Sequence, residues 1–153
     1  MILRKPIIED TQFVFECYQD WPLTTKVGLI TIDKVGLWIR RWINRSDEIC
    51  LIGEENGAPV GLILYRVDGD EGIVDNIVVH PDERQKGYHN SIAALAWEKE
   101  SANGVKVARF SVVQGPIADK ILQGKSLGGG RYSHAGETEG EIQTLIKGEF
   151  RGI

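Results

Sequence analysis

Cysteine and long apolar runs are scarce in this chain of 153 residues, and each scarcity excludes a class of protein. The two cysteines, Cys17 and Cys50, are isolated from each other, so neither a redox pair nor a metal site is expected, and buried free thiols are the simpler interpretation. The opening residues MILRKPIIED contain no long apolar stretch. We therefore expect no signal peptide or membrane span, and we predict a cytoplasmic location.

Basic charge is also in short supply. The chain carries 18 basic and 22 acidic residues, a net charge of −4, which does not favour nucleic acid as a partner. A basic cluster at Arg40, Arg41 and Arg45 could meet an anion, but a solvated helix face is the more ordinary role for such a cluster. With 42% apolar residues and no repeat, linker or low-complexity tract, the chain is predicted to form one domain over residues 1–153.

Apolar periodicity predicts the order β, α, α, β, β, β, α, β, α, β, β. One strong turn signal is Asn56-Gly57, which accommodates positive φ and predicts a hairpin. The amphipathic stripe of the second helix, which begins at Thr31 or Asp33, predicts that Trp38 and Trp42 belong to the core. Strands are predicted at residues 2–5, 48–54, 59–67, 72–79, 105–113, 131–135 and 142–150, and helices at about 9–20, 31–44, 86–102 and 117–124.

The most informative segment is GIVDNIVVHPDERQKGYHNSIAALAWE, residues 72–98. Its β-branched residues predict a strand that must end at Pro81, because proline has no N–H for a ladder. A loop with Arg84, Lys86 and Gly87 then enters a helix. Helix N-termini present unpaired N–H groups and partial positive charge, so the segment predicts a site for a phosphate ester.

Two short motifs in this segment resemble those of the GNAT superfamily of acyl-CoA-dependent N-acyltransferases. Val79-His80-Pro81 matches the V-x-P that ends the family's central strand, and residues 84–89, RQKGYH, match its Q/R-x-x-G-x-G/A loop, with His89 in place of the last small residue. The order of elements agrees over the whole chain. The resemblance implies an α/β (α+β) domain with a mixed, mostly antiparallel sheet of about seven strands, splayed between the fourth and fifth, and about four helices.

The resemblance also implies acetyl-CoA as co-substrate, lying in the splay between the two strands. Main-chain groups of residues 77–79 would pair with pantetheine in place of a neighbouring strand. The loop and the start of the helix would hold the pyrophosphate. The candidate cofactor-binding residues are Ile77, Val78, Val79, Arg84, Gln85, Lys86, Gly87, Tyr88, His89 and Gln114.

Catalysis of amine acylation needs a base for the amine proton and ideally an acid for the departing thiolate. Asp75 is the candidate base, because it is a charged residue inside the apolar run IVDNIVV and lies near a position where many family members carry a carboxylate. The alternative is that Asp75 faces solvent or pairs with a cation on a neighbouring strand. The tyrosine that usually acts as the general acid in this family has no counterpart between Gln114 and Gly128. Tyr132 is therefore the candidate acid, and the alternative is that Tyr132 is an ordinary strand residue.

The predicted reaction is transfer of an acetyl group from acetyl-CoA to an amine of a small molecule or peptide. Two other functions stay open: a GNAT-like module that has lost catalysis, suggested by His89 and the absent tyrosine, and a GNAT-like enzyme acting on nucleic acid, which the net charge argues against. Homodimerisation is also left open. Aromatic residues that could line the acceptor groove, or equally belong to the core, are Trp21, Trp38, Trp42, Tyr132 and His134.

Overall fold

The computed structural model describes residues 1–19, 29–113, 132–139 and 144–151. Its strands are β1 (Ile2–Arg4), β2 (Ile49–Glu55), β3 (Ala58–Asp68), β4 (Glu71–Val79), β5 (Val107–Val113), β6 (Tyr132–Glu139) and β7 (Thr144–Phe150). Its α-helices are α1 (Thr11–Cys17), α2 (Ile32–Asn44) and α3 (Tyr88–Ala102). The helix predicted at 117–124 and the candidate residues Gln114 and Trp21 lie outside the described residues.

The strands form one seven-stranded sheet in the order β1-β2-β3-β4-β5-β7-β6. Every neighbouring pair is antiparallel except β4 and β5, which run parallel. The β2–β3 hairpin turns at Asn56 and Gly57, both with positive φ, as the Asn-Gly signal predicts. The predicted mixed, mostly antiparallel sheet is confirmed.

Helices α1 and α2 cover one face of the sheet, and α3 covers the other. On α2, Val35, Ile39 and Trp42 recur along one side and are buried, as the apolar stripe predicts. They pack with α1 against side chains that β2, β3 and β4 direct to that face. Ile92 and Ala96 of α3 pack against the opposite side chains of the same strands. Alternating residues of these strands therefore pack into two hydrophobic cores, one on each face of the sheet.

The free thiols behave as the sequence predicts. Cys17 and Cys50 are both buried and neither forms a disulfide, and burial raises the pKa of the Cys50 thiol. Trp42 is also in the core, whereas Trp38 is partly buried at its margin. None of the three described α-helices combines the length and the apolar character that crossing a membrane requires.

Strand β4 is paired differently along its two halves. The parallel ladder with β5 runs from Glu71, opposite Val107, to Val74, opposite Phe110. On its other side β4 stays paired with β3 as far as Val79, opposite Gly61. Within the described residues, positions 75–79 therefore lack a β5 partner. The splay predicted between the fourth and fifth strands is present.

Candidate active site

The opening in the sheet begins at a β-bulge. Asn76 lies opposite Leu64 and Val74 lies opposite Tyr65, so Asp75 is the extra residue on β4. A bulge bends the strand and re-aims side chains. Val74 and Ile77 pack toward α3, whereas Asn76 and Val78 contact the α1 and α2 side. The bulge thus coincides with the point where β4 leaves β5.

Asp75 has a cation on the neighbouring strand. Its Oδ2 lies 3.5 Å from Nε of Arg66 on β3, the arrangement that the structural alternative for Asp75 predicts. Partial burial nevertheless raises the pKa of Asp75, helped by the negative charge of Glu48 and opposed by Arg66. The carboxylate is still about one third exposed, so it remains accessible to a ligand. A group with these properties can accept a proton.

The loop after β4 takes its shape from two left-handed residues. Pro81–Glu83 form one 3-10 turn, Gln85 has φ of 64°, and Gly87 has φ of 81°. A Cβ at Gly87 would meet no atom within 4 Å, so the positive φ and not the available space is what favours glycine there. Helix α3 starts at Tyr88 and not at the predicted Lys86, because left-handed residues cannot belong to a right-handed helix.

The N-terminus of α3 suits an anion. Gly87 has no side chain to cap the helix, and the first amide that bonds back is that of Ser91, 3.2 Å from the carbonyl oxygen of Gly87. The amides of Tyr88, His89 and Asn90 precede the first intrahelical bond. Within this described first turn there is no acidic residue to repel an anion.

Two cations flank these amides in different ways. Nε of Arg84 donates to the carbonyl oxygen of Val79 at 3.1 Å, which fixes the loop to the last residue of β4. Nζ of Lys86 lies 2.8 Å from Oε2 of Glu83, and this bond raises the pKa of Lys86. The structure therefore brings the predicted loop residues to the end of the half of β4 that β5 does not cover.

The two histidines of the segment differ. The His80 ring stacks on Phe13, its Nε2 lies 3.1 Å from Oε2 of Glu16, and its Nδ1 accepts from the amide of Asp82 at 3.1 Å. These contacts favour a structural role for His80. His89 lies in the first turn of α3, and desolvation by the protein around it lowers its pKa. This environment favours the neutral imidazole over the imidazolium.

One polar contact at the site was not anticipated from the sequence. The hydroxyl of Tyr18, just after α1, donates to Oδ1 of Asn76 at 3.0 Å. The helical pattern indicates that Tyr18 faces inward, but nothing in the sequence indicates a partner 58 positions away. Tyr132, the candidate acid, begins β6 opposite Phe150 of β7, and its side chain lies outside what the structure describes.

Comparisons with known proteins agree with this architecture. The sequence model of the acetyltransferase (GNAT) family matches residues 14–102, more than half of the chain. A protein named acetyltransferase from Yersinia pestis (strain Pestoides F) is 35% identical over 66 residues, which are 43% of this chain and 47% of that protein. The match thus spans about half the length of this relative.

Solved structures cover nearly the whole chain. Spermidine N-acetyltransferase from Vibrio cholerae, in complex with CoA and spermine, has a TM-score of 0.77 at 12% identity, covering 98% of this chain and 95% of that one. Ribosomal-protein-alanine N-acetyltransferase from Brucella melitensis has a TM-score of 0.75 at 19% identity, covering 97% and 98%. Such identities establish the fold alone. Together with the family match, they show that this chain belongs to the acetyltransferase (GNAT) family.

Proposed function

We propose that this protein is an N-acetyltransferase that transfers an acetyl group from acetyl-CoA to an amine of a small molecule or peptide. The observation that carries the proposal is the end of the β4–β5 ladder at Val74, which leaves residues 75–79 beside the loop at 84–87 and the N-terminus of α3. A buried strand edge needs partners for its N–H and C=O groups, and pantetheine supplies amides of the right kind.

In the proposed complex, the main chain of Ile77, Val78 and Val79 pairs with pantetheine. The pyrophosphate accepts from the first amides of α3, and Gly87 and Gln85 give the loop the shape that exposes those amides. Arg84 and Lys86 add positive charge, and Tyr88 and His89 form the first turn around the phosphates. Gln114 stays a proposed cofactor contact.

The proposed reaction is a direct attack on the thioester. The amine nitrogen bonds to the thioester carbonyl carbon, the carbon–sulfur bond breaks with its electron pair going to sulfur, and CoA leaves as a thiolate. Asp75 takes the proton from the attacking nitrogen, a role that its raised pKa suits. The thiolate receives a proton from Tyr132 or from water.

The acceptor is proposed at the level of chemical class only. The fold neighbours include one protein named for spermidine and one named for the alanine of a ribosomal protein, so both small amines and peptide N-termini are represented among proteins of this fold. The net charge of −4 does not favour nucleic acid. We propose a small amine or a peptide.

Titration calorimetry with acetyl-CoA tests the phosphate-binding part of this proposal. We expect the wild type to bind and Arg84→Ala to bind about tenfold more weakly, since a hydrogen bond to a charged group contributes about 1.5 kcal/mol or more. Arg45→Ala is the matched control, because this exposed arginine follows α2 and pairs with Asp47 at 3.9 Å. Equal affinity of the two variants would show that the pyrophosphate lies elsewhere.

A melting experiment separates an enzyme from an inactive module. Acetyl-CoA at 100 times its dissociation constant stabilises a protein that binds it by about 2.7 kcal/mol. We expect a clear increase in melting temperature, together with CoA release when an amine is added. A wild type that neither gains stability nor releases CoA would favour the module that has lost catalysis.

A further inference from the structure

The contact between Tyr18 and Asn76 joins the first helix to the strand at the opening. The hydroxyl of Tyr18 donates to Oδ1 of Asn76 at 3.0 Å, and the ring packs edge-on against Trp38 at 5.7 Å. Tyr18 is only 6% exposed, and its burial raises the pKa of the phenol. The hydroxyl therefore stays protonated at neutral pH and is a permanent donor.

Asn76 is placed where a side chain can contact both the strand opening and the proposed base. It directly follows Asp75, the bulged residue, and lies in the half of β4 that β5 does not cover. Accepting the Tyr18 hydroxyl at Oδ1 fixes the orientation of the carboxamide. Within the described part of the chain, its Nδ2 makes no hydrogen bond, so both amide N–H donors are left for a ligand.

We propose that Asn76 contacts the acceptor through its amide donors and that Tyr18 is a positioning residue that holds Asn76 and the bulge in the reactive arrangement. This inference rests on the proposed function. Without the hydroxyl, the carboxamide can rotate and the bulge can relax, and the Asp75 carboxylate moves with it. Small displacements of a reacting group are costly, because about 1 Å can reduce a rate by about a hundredfold.

Tyr65 offers a matched control on the other face of the sheet. It is 3% exposed, burial raises its pKa, and its hydroxyl donates to Oε1 of Glu100 on α3 at 2.8 Å. Tyr18→Phe and Tyr65→Phe thus remove the same atom from equally buried rings. Tyr65→Phe should lose stability as well, since the hydrogen bond that it removes goes to the Glu100 carboxylate and bonds to charged groups are the stronger ones. Only the Tyr18 variant should lose turnover.

The experiment measures CoA release from acetyl-CoA with spermidine and with an alanine-initiated peptide as acceptors. We expect Tyr18→Phe to lower kcat about tenfold or more with an unchanged KM for acetyl-CoA, and Tyr65→Phe to change neither. Asn76→Ala should lower kcat as well, and the double variant Tyr18→Phe/Asn76→Ala should be no slower than Asn76→Ala, because the two residues act as a unit.

The possible failures are distinguishable. A wild type that acetylates neither acceptor overturns the proposed function, and this inference with it. If the wild type is active but Tyr18→Phe keeps its kcat, or loses no more than Tyr65→Phe, the proposed function stands and the positioning role is wrong. Independent, multiplicative losses in the double variant would overturn the pairing of Tyr18 with Asn76.

Discussion

The two halves of β4 have similar composition and different pairing. Residues 71–74 are paired with β3 on one side and β5 on the other, so their backbone groups are satisfied within the sheet. Residues 75–79 keep β3 alone within the described chain, although they are just as apolar. We infer that pairing, and not hydrophobicity, separates a structural segment from a binding segment in this strand.

The largest expected effect concerns the residue at the border of the two halves. Asp75→Asn should lower turnover by about a hundredfold or more, since it removes the proposed base. Its dissociation constant for acetyl-CoA should stay unchanged, because the proposed role of the carboxylate is to accept a proton from the amine and not to bind the cofactor. Asp68→Asn is the control and should keep full turnover. Asp68 is exposed and lies opposite Glu71, beside the doubly paired half of β4, residues 71–74, which pairs with both β3 and β5. The measurement is steady-state kinetics of both variants. Equal kcat values for Asp75→Asn and Asp68→Asn would show that Asp75 has a structural role.

Alanine substitution of one glycine beside each half of β4 should change the stability of the protein by different amounts. A Cβ at Gly61, opposite Val79, would lie 2.7 Å from the carbonyl oxygen of Val78, so the β3–β4 backbone must shift. A Cβ at Gly72 would meet Val105 at 3.6 Å, an ordinary contact. We expect Gly61→Ala to destabilise by about 2 kcal/mol and Gly72→Ala by less than about 1 kcal/mol. Urea unfolding measures both, and equal midpoints would contradict the difference.

The charges around Asp75 should shift the acidic limb of the pH–rate profile in opposite directions. The free carboxylate is the active form, so the rate falls as pH drops through the pKa of Asp75. Glu48→Gln removes a charge that raises this pKa and should move the limb to lower pH. Arg66→Gln removes a charge that lowers it and should move the limb to higher pH.

Tyr18 also lies near this group, but its phenol stays neutral over the whole range, so its own titration does not contribute to the limb. The measurement is kcat/KM against pH for the wild type and the two charge variants. If the acidic limb lies at the same pH in both variants and in the wild type, it reports the titration of a group other than Asp75.

The smallest effect belongs to the doubly paired half. Nη2 of Arg109 on β5 lies 2.9 Å from Oε1 of Glu71 on β4, and Arg109 also bonds Glu149. Arg109→Ala should slightly lower the melting temperature at pH 7 and leave acetyl-CoA binding unchanged. Because Arg109 lowers the pKa of Glu71, this contribution is present above the unfolded-state value, about 4.3, and is lost as pH falls through the folded-state pKa. A loss of acetyl-CoA affinity would show that the two halves are not independent.

The sequence predicts the elements that rest on local chemistry. The strand before Pro81, the Asn56-Gly57 hairpin and the α2 stripe follow from periodicity and turn propensity, and all three are present. Helix starts are less predictable. The first helix, predicted at about 9–20, begins at Thr11, because the Asp10 carboxylate accepts from Arg4 and from the amide of Ile7 and a 3-10 turn precedes α1.

The parts of the site that depend on tertiary contacts cannot be predicted from the sequence. Asp75 as a bulged residue depends on its register with β3, and one strand alone carries no register. Arg66 as its partner follows from that register. The bond from Tyr18 to Asn76 joins residues 58 positions apart, and an inward-facing tyrosine has no preferred partner in the sequence. The loop at 84–87 was predictable because its residues are consecutive.

The bulge at Asp75 also has an evolutionary consequence. Val74 faces α3, Asn76 faces α1 and Ile77 faces α3, so the in-frame loss of the single codon for Asp75 would leave a strand with unbroken alternation. Each remaining side chain would keep its own core, while the proposed base and the bend beside the opening would both be gone. By the proposed mechanism, one three-nucleotide deletion would separate an active enzyme from an inactive protein with the same fold.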